Sequence, residues 1–382
     1  MGKVKLVIIQ KIFSDYRKGI FDRLHRKYDF LLIHGKIKNG INQIQTHYSR
    51  KVKTIKYGPK DTQVYLHIFP LIRKFRPDIV IHEFTPSILS LHTSFLLSRI
   101  MGFKFVIWGH GYNRKKNFVP RKRIKDKIRL YYLKKSDAVI VYGKKDREKL
   151  SQFIPAKKIF VAVNTLDTDK LISIRKELEK VGKRNIKRDL NINYRYNLVF
   201  IGRLLEDKHP DHLIAAVKKL HDNGIIDLAL HFIGDGEFME SLNYMVQKEN
   251  LSNIYFYGSI YDELLIGKYL YMADLMVMPG YVGLSVIHSF CYNLPVITYA
   301  TGSRGPFHSP EIDYIINNET GYQLKSHNIS HLADTIANFL NDKNKMEEMK
   351  NIIGKRVSEE WSLDKMVQGF DKCITYVNNE KV

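Results

Sequence analysis

The chain has 382 residues, 44% of them hydrophobic and 12% aromatic, with a formal net charge of +23. That apolar content excludes pervasive disorder, and the length exceeds the roughly 250–300 residues at which one core stops growing, so two domains are expected. Its two cysteines, Cys291 and Cys373, are far apart, so they offer neither a disulfide framework nor a zinc cluster and suit a reducing cytoplasm.

The opening MGKVKLVIIQK reads as a first strand. Its apolar run is short, alternates with lysine and lacks the core and cleavage site of a signal peptide. Arg17 and Gly19 follow in what reads as a loop. FLLIHG, PDIVIHE, KFVIWGHG and DAVIVYG then alternate with amphipathic stretches, and YNLVFIG, LALHFIG, IYFYG, LMVMPG and PVITYA repeat the rhythm in the second half. Strand-sized runs between helix-sized stretches imply βαβ units, and hence two α/β, doubly wound domains with mostly parallel sheets. Ser87 to Gly109 is the most apolar longer stretch, but His92, Arg99 and Lys104 interrupt it. It falls short of the roughly 18 apolar residues a membrane span needs, which predicts a soluble or peripherally bound chain.

Charge divides the sequence. Residues 1–190 hold 45 Lys and Arg against 15 Asp and Glu, whereas the remainder hold 17 against 24. Such asymmetry points to an anionic partner for the first half, nucleic acid or membrane lipid. The densest cluster is Arg114, Lys115 and Lys116, followed by Arg121, Lys122 and Arg123 at the start of RKRIKDKIRLYYLKK. There Ile124, Ile128 and Tyr131 recur at helical spacing, the pattern of an amphipathic basic helix. It reads either as a solvated face or as an attachment to anionic lipid headgroups. No zinc-finger spacing, aromatic RNA-binding motif or heptad zipper accompanies the charge, so nucleic acid is not expected as a partner. The charged segment Arg175 to Tyr196 has no sustained apolar period, and its middle reads as the linker between domains at 1–180 and 190–360. From Lys343 onward the pattern is helical, with Trp361, Met366, Phe370 and Ile374 as apolar anchors.

The strongest local signal is YNLVFIGRLLEDKHPDHLIAAVKKL, from Tyr196. A strand ends in Gly202, Arg203 follows, Lys208 stands five positions later, and a helix opens near Pro210. Open α/β sheets bind ligands at strand C-termini, so two cations there suggest a diphosphate clamp; two ordinary surface cations are the alternative.

Further pieces follow in order: Ile233-Gly234-Asp235-Gly236, Phe256-Tyr257-Gly258, Ala273-Asp274 before the strand to Met278-Pro279, Gly283-Leu284, Leu294-Pro295-Val296-Ile297 and Glu319-Thr320-Gly321. Together with the Gly202-Arg203…Lys208 loop they resemble the GT-B glycosyltransferases, specifically the retaining family four (glycosyl transferases group 1). The resemblance is strong over 195–330. It is thinner at Trp108-Gly109-His110-Gly111, Ser136-Asp137-Ala138-Val139 and Val161 to Asp169. It implies two Rossmann-like domains facing a cleft, with a C-terminal helix over 361–382 crossing back to the N-terminal domain. It also implies a retaining hexosyl- or N-acetylhexosaminyl-transferase that moves a sugar from a nucleotide donor, UDP by default, to a lipid-linked or saccharide acceptor. Bacterial surface polysaccharide assembly, lipopolysaccharide or capsule, is the implied setting, with the protein cytoplasmic and peripheral on the inner face of the plasma membrane.

By the same resemblance, His110, Arg203 and Lys208 carry catalysis, and Gly19, Gly202, Gly258, Gly280, Gly283, Leu284, Ser285 and His288 line the donor. Arg17 and Gly19 match a flexible loop over the donor, and Glu311 falls where many members carry a glutamate. No metal or other cofactor is implied, because arginine and lysine stabilise the charge developing on the leaving diphosphate. Asp167-Thr168-Asp169 looks like a metal-binding DxD but falls in the family's ordinary turn after Asn164. The sequence departs from the family at one motif: Gly280 and His288 stand where two glutamates usually lie eight positions apart. Backbone N–H groups of Gly283, Leu284 and Ser285 at a helix start still suit a phosphate. His288 reads as a ribose ligand or as a core histidine. A donor-consuming epimerase is one rival reading. Another is a catalytically degenerate subunit that binds a partner transferase or the membrane.

Overall fold

The computed structural model describes residues 2–35, 44–56, 63–114, 116, 118–303 and 305–379; of the expected basic patch, Lys115 lies outside them. The chain forms two compact units, Met1–Asp167 with Leu363–Val382, and Thr168–Ser362.

The strands of the first unit are β1 (Lys5–Gln10), β2 (Asp29–His34), β3 (Ser49–Lys51), β4 (Thr54–Lys56), β5 (Gln63–Tyr65), β6 (Ile79–Glu83), β7 (Lys104–Trp108), β8 (Ala138–Val141) and β9 (Ile159–Val161). Its helices are α1 (Lys18–Lys27), α2 (Ile68–Phe75), α3 (Leu89–Met101), α4 (Ile124–Lys135) and α5 (Lys144–Ser151), with the last helix of the chain, Leu363–Asn379, returning to it. Seven strands form one parallel sheet in the order β3-β2-β1-β6-β7-β8-β9, and β4 and β5 pair as a separate antiparallel ribbon. Helices cover both faces, so the central strands are apolar on both sides. Leu6 and Ile8 of β1 enter a core with Phe21 and Leu24 of α1 and Met366, Phe370 and Ile374 of the last helix. Val7 and Ile9 enter the opposite core with Ile72 of α2 and Leu91 of α3. The last helix lies close on β9 because Gly369 has no side chain: a Cβ there would stand 2.3 Å from the Val161 carbonyl oxygen.

The second unit contains β10 (Tyr196–Ile201), β11 (Leu228–Ile233), β12 (Ile254–Phe256), β13 (Leu275–Val277), β14 (Val296–Tyr299) and β15 (Gly321–Leu324). All pair in parallel, in the order β12-β11-β10-β13-β14-β15. This is the doubly wound order in which the first strand has the second on one side and the fourth on the other. Its helices include α6 (Thr168–Val181), α7 (Lys183–Asp189), α8 (Pro210–Asp222), α9 (Met239–Lys248), α10 (Glu263–Met272) and α11 (Ser285–Cys291).

Two expectations are corrected. The charged stretch read as a linker is helical, and α6, placed in the first domain by sequence, belongs to the second unit, because Leu171, Leu178 and Ile186 bury their side chains there. Charge on the exposed positions hid this spaced apolar face. Trp361 also belongs to the second unit, stacked on Phe290 and Tyr314 at centroid distances of 5.5 and 4.9 Å. The chain returns to the first unit only at Leu363. Among the described residues, no helix is long and apolar enough to cross a membrane.

Candidate active site

In the second unit the sheet order reverses between β10 and β13, and the loops after both strands meet. Gly202, Arg203 and Lys208 lie in the first loop, and Gly280, Gly283 and Leu284 in the second. Two backbone bonds zip the loops together: Gly280 N–H donates to the Lys208 carbonyl at 2.9 Å and Tyr281 N–H to that of Asp207 at 3.1 Å. This is the switch point at which open α/β sheets bind ligands.

Close backbone approach dictates the glycines. A Cβ on Gly280 would stand 2.3 Å from the Asp207 carbonyl oxygen and from Lys208 Cα. A glutamate at 280 is therefore excluded unless the Lys208 loop moves, and its replacement by glycine belongs to this loop pairing. A Cβ on Gly234 would stand 2.0 Å from the Gly202 oxygen. Gly258 caps the next strand end, accepting from Gly234 N–H at 2.8 Å, with open space beside its Cα.

Lys208 lies over the end of β10, its Nζ 2.8 Å from where a Cβ on Gly202 would be and 5.7 Å from the Tyr281 ring centroid. Burial pushes its pKa down to about 8; Asp207 acts the other way, and Arg203 lowers it further. Arg203 is exposed. Among the described residues, no carboxylate lies within ion-pair distance of either cation. A buried ammonium without a counter-charge is costly, and an anion supplies that compensation.

The second loop is held from below. Val282 N–H donates to His308 Nδ1 at 3.1 Å, and His308 Nε2 donates to the Tyr299 carbonyl at 2.9 Å. Tyr281 and Ser309 share a hydroxyl hydrogen bond. Gly283 and Leu284 lead into α11, whose first-turn N–H groups precede its first internal bond; the Ser285 hydroxyl donates to Met278 Sδ at 3.2 Å. His288 is buried, with Nε2 3.2 Å from Glu263 Oε2. That is ion-pair distance, although the alignment is short of a good hydrogen bond. Burial alone pushes the Glu263 carboxyl up, but His288, helped by Lys170, outweighs it and holds it below the usual range. Glu311 is fully buried. His209, Asp211 and His212 offer ligand atoms within 4.8 Å of one another, the one such group of three among the described residues. His212 Nδ1 there engages the Tyr299 hydroxyl at 3.0 Å.

In the first unit, His110 follows β7. Its Nδ1 donates to Asp146 Oδ2 at 2.7 Å, which fixes the orientation of the ring. Asp146 is buried at the start of α5 and also accepts from the Tyr112 hydroxyl at 2.7 Å. Arg114, expected in the surface patch, turns in toward the same carboxylate at 3.8 Å. Lys116, Arg121, Lys122 and Arg123 remain exposed. The flexible loop expected at Arg17 and Gly19 is a helix start. Arg17 is buried, donates to Asn164 Oδ1 at 2.8 Å and stacks on Trp108 at 5.0 Å. Gly19, in the first turn of α1, is closed in by Asp167 and Leu363.

Sequence reasoning missed Asp146, Glu263 and Tyr281. Asp146 stands in KKDREKL, which reads as an ordinary charged helix start, and nothing local pairs it with a histidine 36 positions away.

A parallel-stranded pair of Rossmann-like units with the final helix returning to the first defines the GT-B fold, and solved GT-B glycosyltransferases share it. HepE of Anabaena, solved in complex with UDP, aligns over 97% of this chain and 100% of its own, with a TM-score of 0.69 and 14% identity. WaaG, a glycosyltransferase involved in lipopolysaccharide biosynthesis, aligns over 96% and 98%, with a TM-score of 0.64 and 13% identity. Residues 182–356, within the second unit, match the family described as Glycosyl transferases group 1. An uncharacterized glycosyltransferase of Methanocaldococcus jannaschii is 28% identical over 60% of this chain; the match spans 57% of that relative's length, less than two thirds.

Proposed function

We propose that the chain is a retaining glycosyltransferase that needs no metal. It moves a hexosyl or N-acetylhexosaminyl group from a nucleotide-sugar, UDP-linked by default, to a lipid-linked or saccharide acceptor in bacterial surface polysaccharide assembly. The observation that carries this reading is the pair of cations, Arg203 and Lys208, without a carboxylate partner among the described residues, at the switch point of a unit that matches glycosyl transferases group 1. The UDP bound by HepE, which shares the fold, supports the choice of nucleotide.

In this reading the bond from the anomeric carbon to the diphosphate oxygen breaks, and its electrons pass to the diphosphate. Arg203 and Lys208 stabilise that charge, worth on the order of 10²–10³ in rate per group. The acceptor hydroxyl attacks from the same face and gives its proton to the departing phosphate oxygen. Gly202, Gly258, Gly280, Gly283, Leu284 and Ser285 let backbone approach the donor, and His110, oriented by Asp146, serves the sugar. Glu263, held by His288, supplies the ribose-facing carboxylate that the motif lacks at 288. The absent glutamates at Gly280 and His288 favour, as a second reading, a degenerate subunit that binds no nucleotide.

Sugar transfer from UDP-sugars that survives EDTA and collapses in Arg203→Ala and Lys208→Ala is the expected result. Activity strictly dependent on a divalent cation contradicts the proposal, and absence of nucleotide binding favours the second reading.

A further inference from the structure

Immediately after Lys208 the chain turns and gathers three metal-ligating side chains. His209 stands in the left-handed region, at φ 49°, and leads into Pro210, the first residue of α8. Its ring lies beside that of His212, the two stacking at 4.8 Å between centroids with 28° between planes. Asp211 comes between them in sequence, and one ligand atom from each of the three residues falls within 4.8 Å of the others.

Two features separate this group from an ordinary polar surface. Asp211 Oδ1 is shielded from solvent yet accepts no hydrogen bond among the described residues, and a carboxylate oxygen in that state is destabilised unless a cation meets it. His212 Nδ1 faces the Tyr299 hydroxyl at 3.0 Å while its Nε2 faces Asp211 Oδ2 at 4.0 Å. A hydroxyl accepts as readily as it donates, so an Nδ1–H resting on Tyr299 leaves the Nε2 lone pair toward the carboxylate. Metal-bound histidines are held in this way, through the ring nitrogen away from the metal. Tyr299 is itself fixed: it is fully buried, stacks on His327 at 4.8 Å and accepts from His308 Nε2 through its carbonyl. His209, Asp211 and His212 are only partly buried, so an ion reaches them from solvent.

We propose that His209, Asp211 and His212 form a binding site for a divalent transition-metal ion of the zinc type, with Tyr299 holding the far nitrogen of His212 and water completing the coordination. Two imidazoles and one carboxylate are a donor set for that ion, and not for magnesium or calcium, which take oxygen ligands. Tetrahedral bonds of about 2.0–2.2 Å set ligand atoms about 3.4 Å apart, so separations of up to 4.8 Å close by small side-chain rotations. The ion clips the turn after Lys208 onto the first turn of α8. It binds none of the residues assigned to the donor and takes no part in sugar transfer, and its site is tested without nucleotide, so failure here leaves the donor reading intact.

The untagged full chain, stripped with EDTA and dialysed, is titrated calorimetrically with zinc chloride and, separately, with magnesium chloride. Saturation at one zinc ion per chain is expected, with no magnesium binding. Zinc binding should weaken more than about tenfold in His209→Asn, Asp211→Asn and His212→Gln, and about tenfold in Tyr299→Phe. Asparagine tolerates the left-handed turn at 209, and unchanged metal-free thermal midpoints separate lost ligands from lost folding. Cobalt in place of zinc should give the visible bands of a four-coordinate site without the near-ultraviolet charge transfer of a thiolate, since Cys291 and Cys373 are buried. The Nε2 atoms of His25 and His47, 2.9 Å apart, form the competing pair, and His47→Gln should leave zinc binding unchanged. Absence of zinc binding, magnesium binding of equal strength, equal zinc binding by wild type and the three ligand variants, or loss of binding in His47→Gln overturns the proposal.

Discussion

The two units share a sheet plan but build their chemistry differently. In the second, the loops proposed to take the donor are made of backbone: glycines at 234 and 280 stand where loops approach too closely for a side chain, and Arg203 and Lys208 lie in the first of these loops. In the first, paired side chains come from distant elements, as in His110 after β7 and Asp146 in α5. A site made of backbone leaves its mark in the local sequence, because only glycine fits. One made of distant side chains leaves almost none. Charge follows the same division, since residues 1–167 hold 37 Lys and Arg against 11 Asp and Glu whereas 168–362 hold 22 against 25.

Arg203→Ala and Lys208→Ala should have the largest effect, lowering transfer about 10²–10³-fold with folding intact, as measured by steady-state kinetics and thermal midpoint. If either variant keeps near wild-type rates, the second unit is not the donor unit and the comparison fails. Restoring the family glutamate should do harm: Gly280→Glu forces the Lys208 loop away, so donor binding should fall at least as far as in Lys208→Ala. A gain in activity from Gly280→Glu would show that the loop pairing yields easily.

Smaller effects are expected from positioning groups. Asp146→Asn should lower kcat about tenfold to a hundredfold, and the loss should not add to that of His110→Ala, since both remove one oriented imidazole. Full additivity would mean that Asp146 acts elsewhere. Glu263→Gln should raise KM for the donor with little change in kcat.

Lys208 supplies a pH test. Its folded pKa, about 8, lies below the ordinary 10.5, so the folded chain binds fewer protons than the unfolded one between these values. The stability penalty is full below about 8 and relieved as pH rises toward 10.5. A bound diphosphate favours the ammonium, so nucleotide binding near pH about 8.5 should take up protons, visible by calorimetry in buffers of differing ionisation enthalpy. Lys208→Arg should abolish the uptake.

Two core histidines, one in each unit, supply a test of stability alone. Burial lowers His82 and His231 from 6.5 to about 4. Each contributes stability that is present above pH 6.5 and lost as pH falls toward 4, up to about 3 kcal/mol. Chemical denaturation of His82→Gln and His231→Gln between these limits measures each unit's share.

Strand rhythm made both sheets legible in the sequence, because parallel strands buried on both faces are continuous apolar runs. The glycine motifs at 234 and 280 located closely packed loops because only glycine fits there. The linker was misplaced because α6 and α7 carry their apolar anchors singly among charged residues, so the period is weak while the burial of Leu171, Leu178 and Ile186 is complete or nearly so. Arg17 looked like a loop residue because nothing near it foretells Asn164, 147 positions away, as its partner. The stripe of α4, Ile124, Ile128 and Tyr131, was visible, but its exposure depends on α3 and the sheet.

The central claim is that the second unit binds a nucleoside diphosphate through Arg203 and Lys208 without a metal. Isothermal titration of the full chain with UDP in EDTA, on wild type, Arg203→Ala and Lys208→Ala, tests it most directly. Binding by wild type that is weakened at least tenfold in either variant is the expected result, with a matching stabilisation of about 2.7 kcal/mol at a hundredfold excess over Kd. Wild-type binding that appears only when a divalent cation is added, or equal binding by all three proteins, would contradict it.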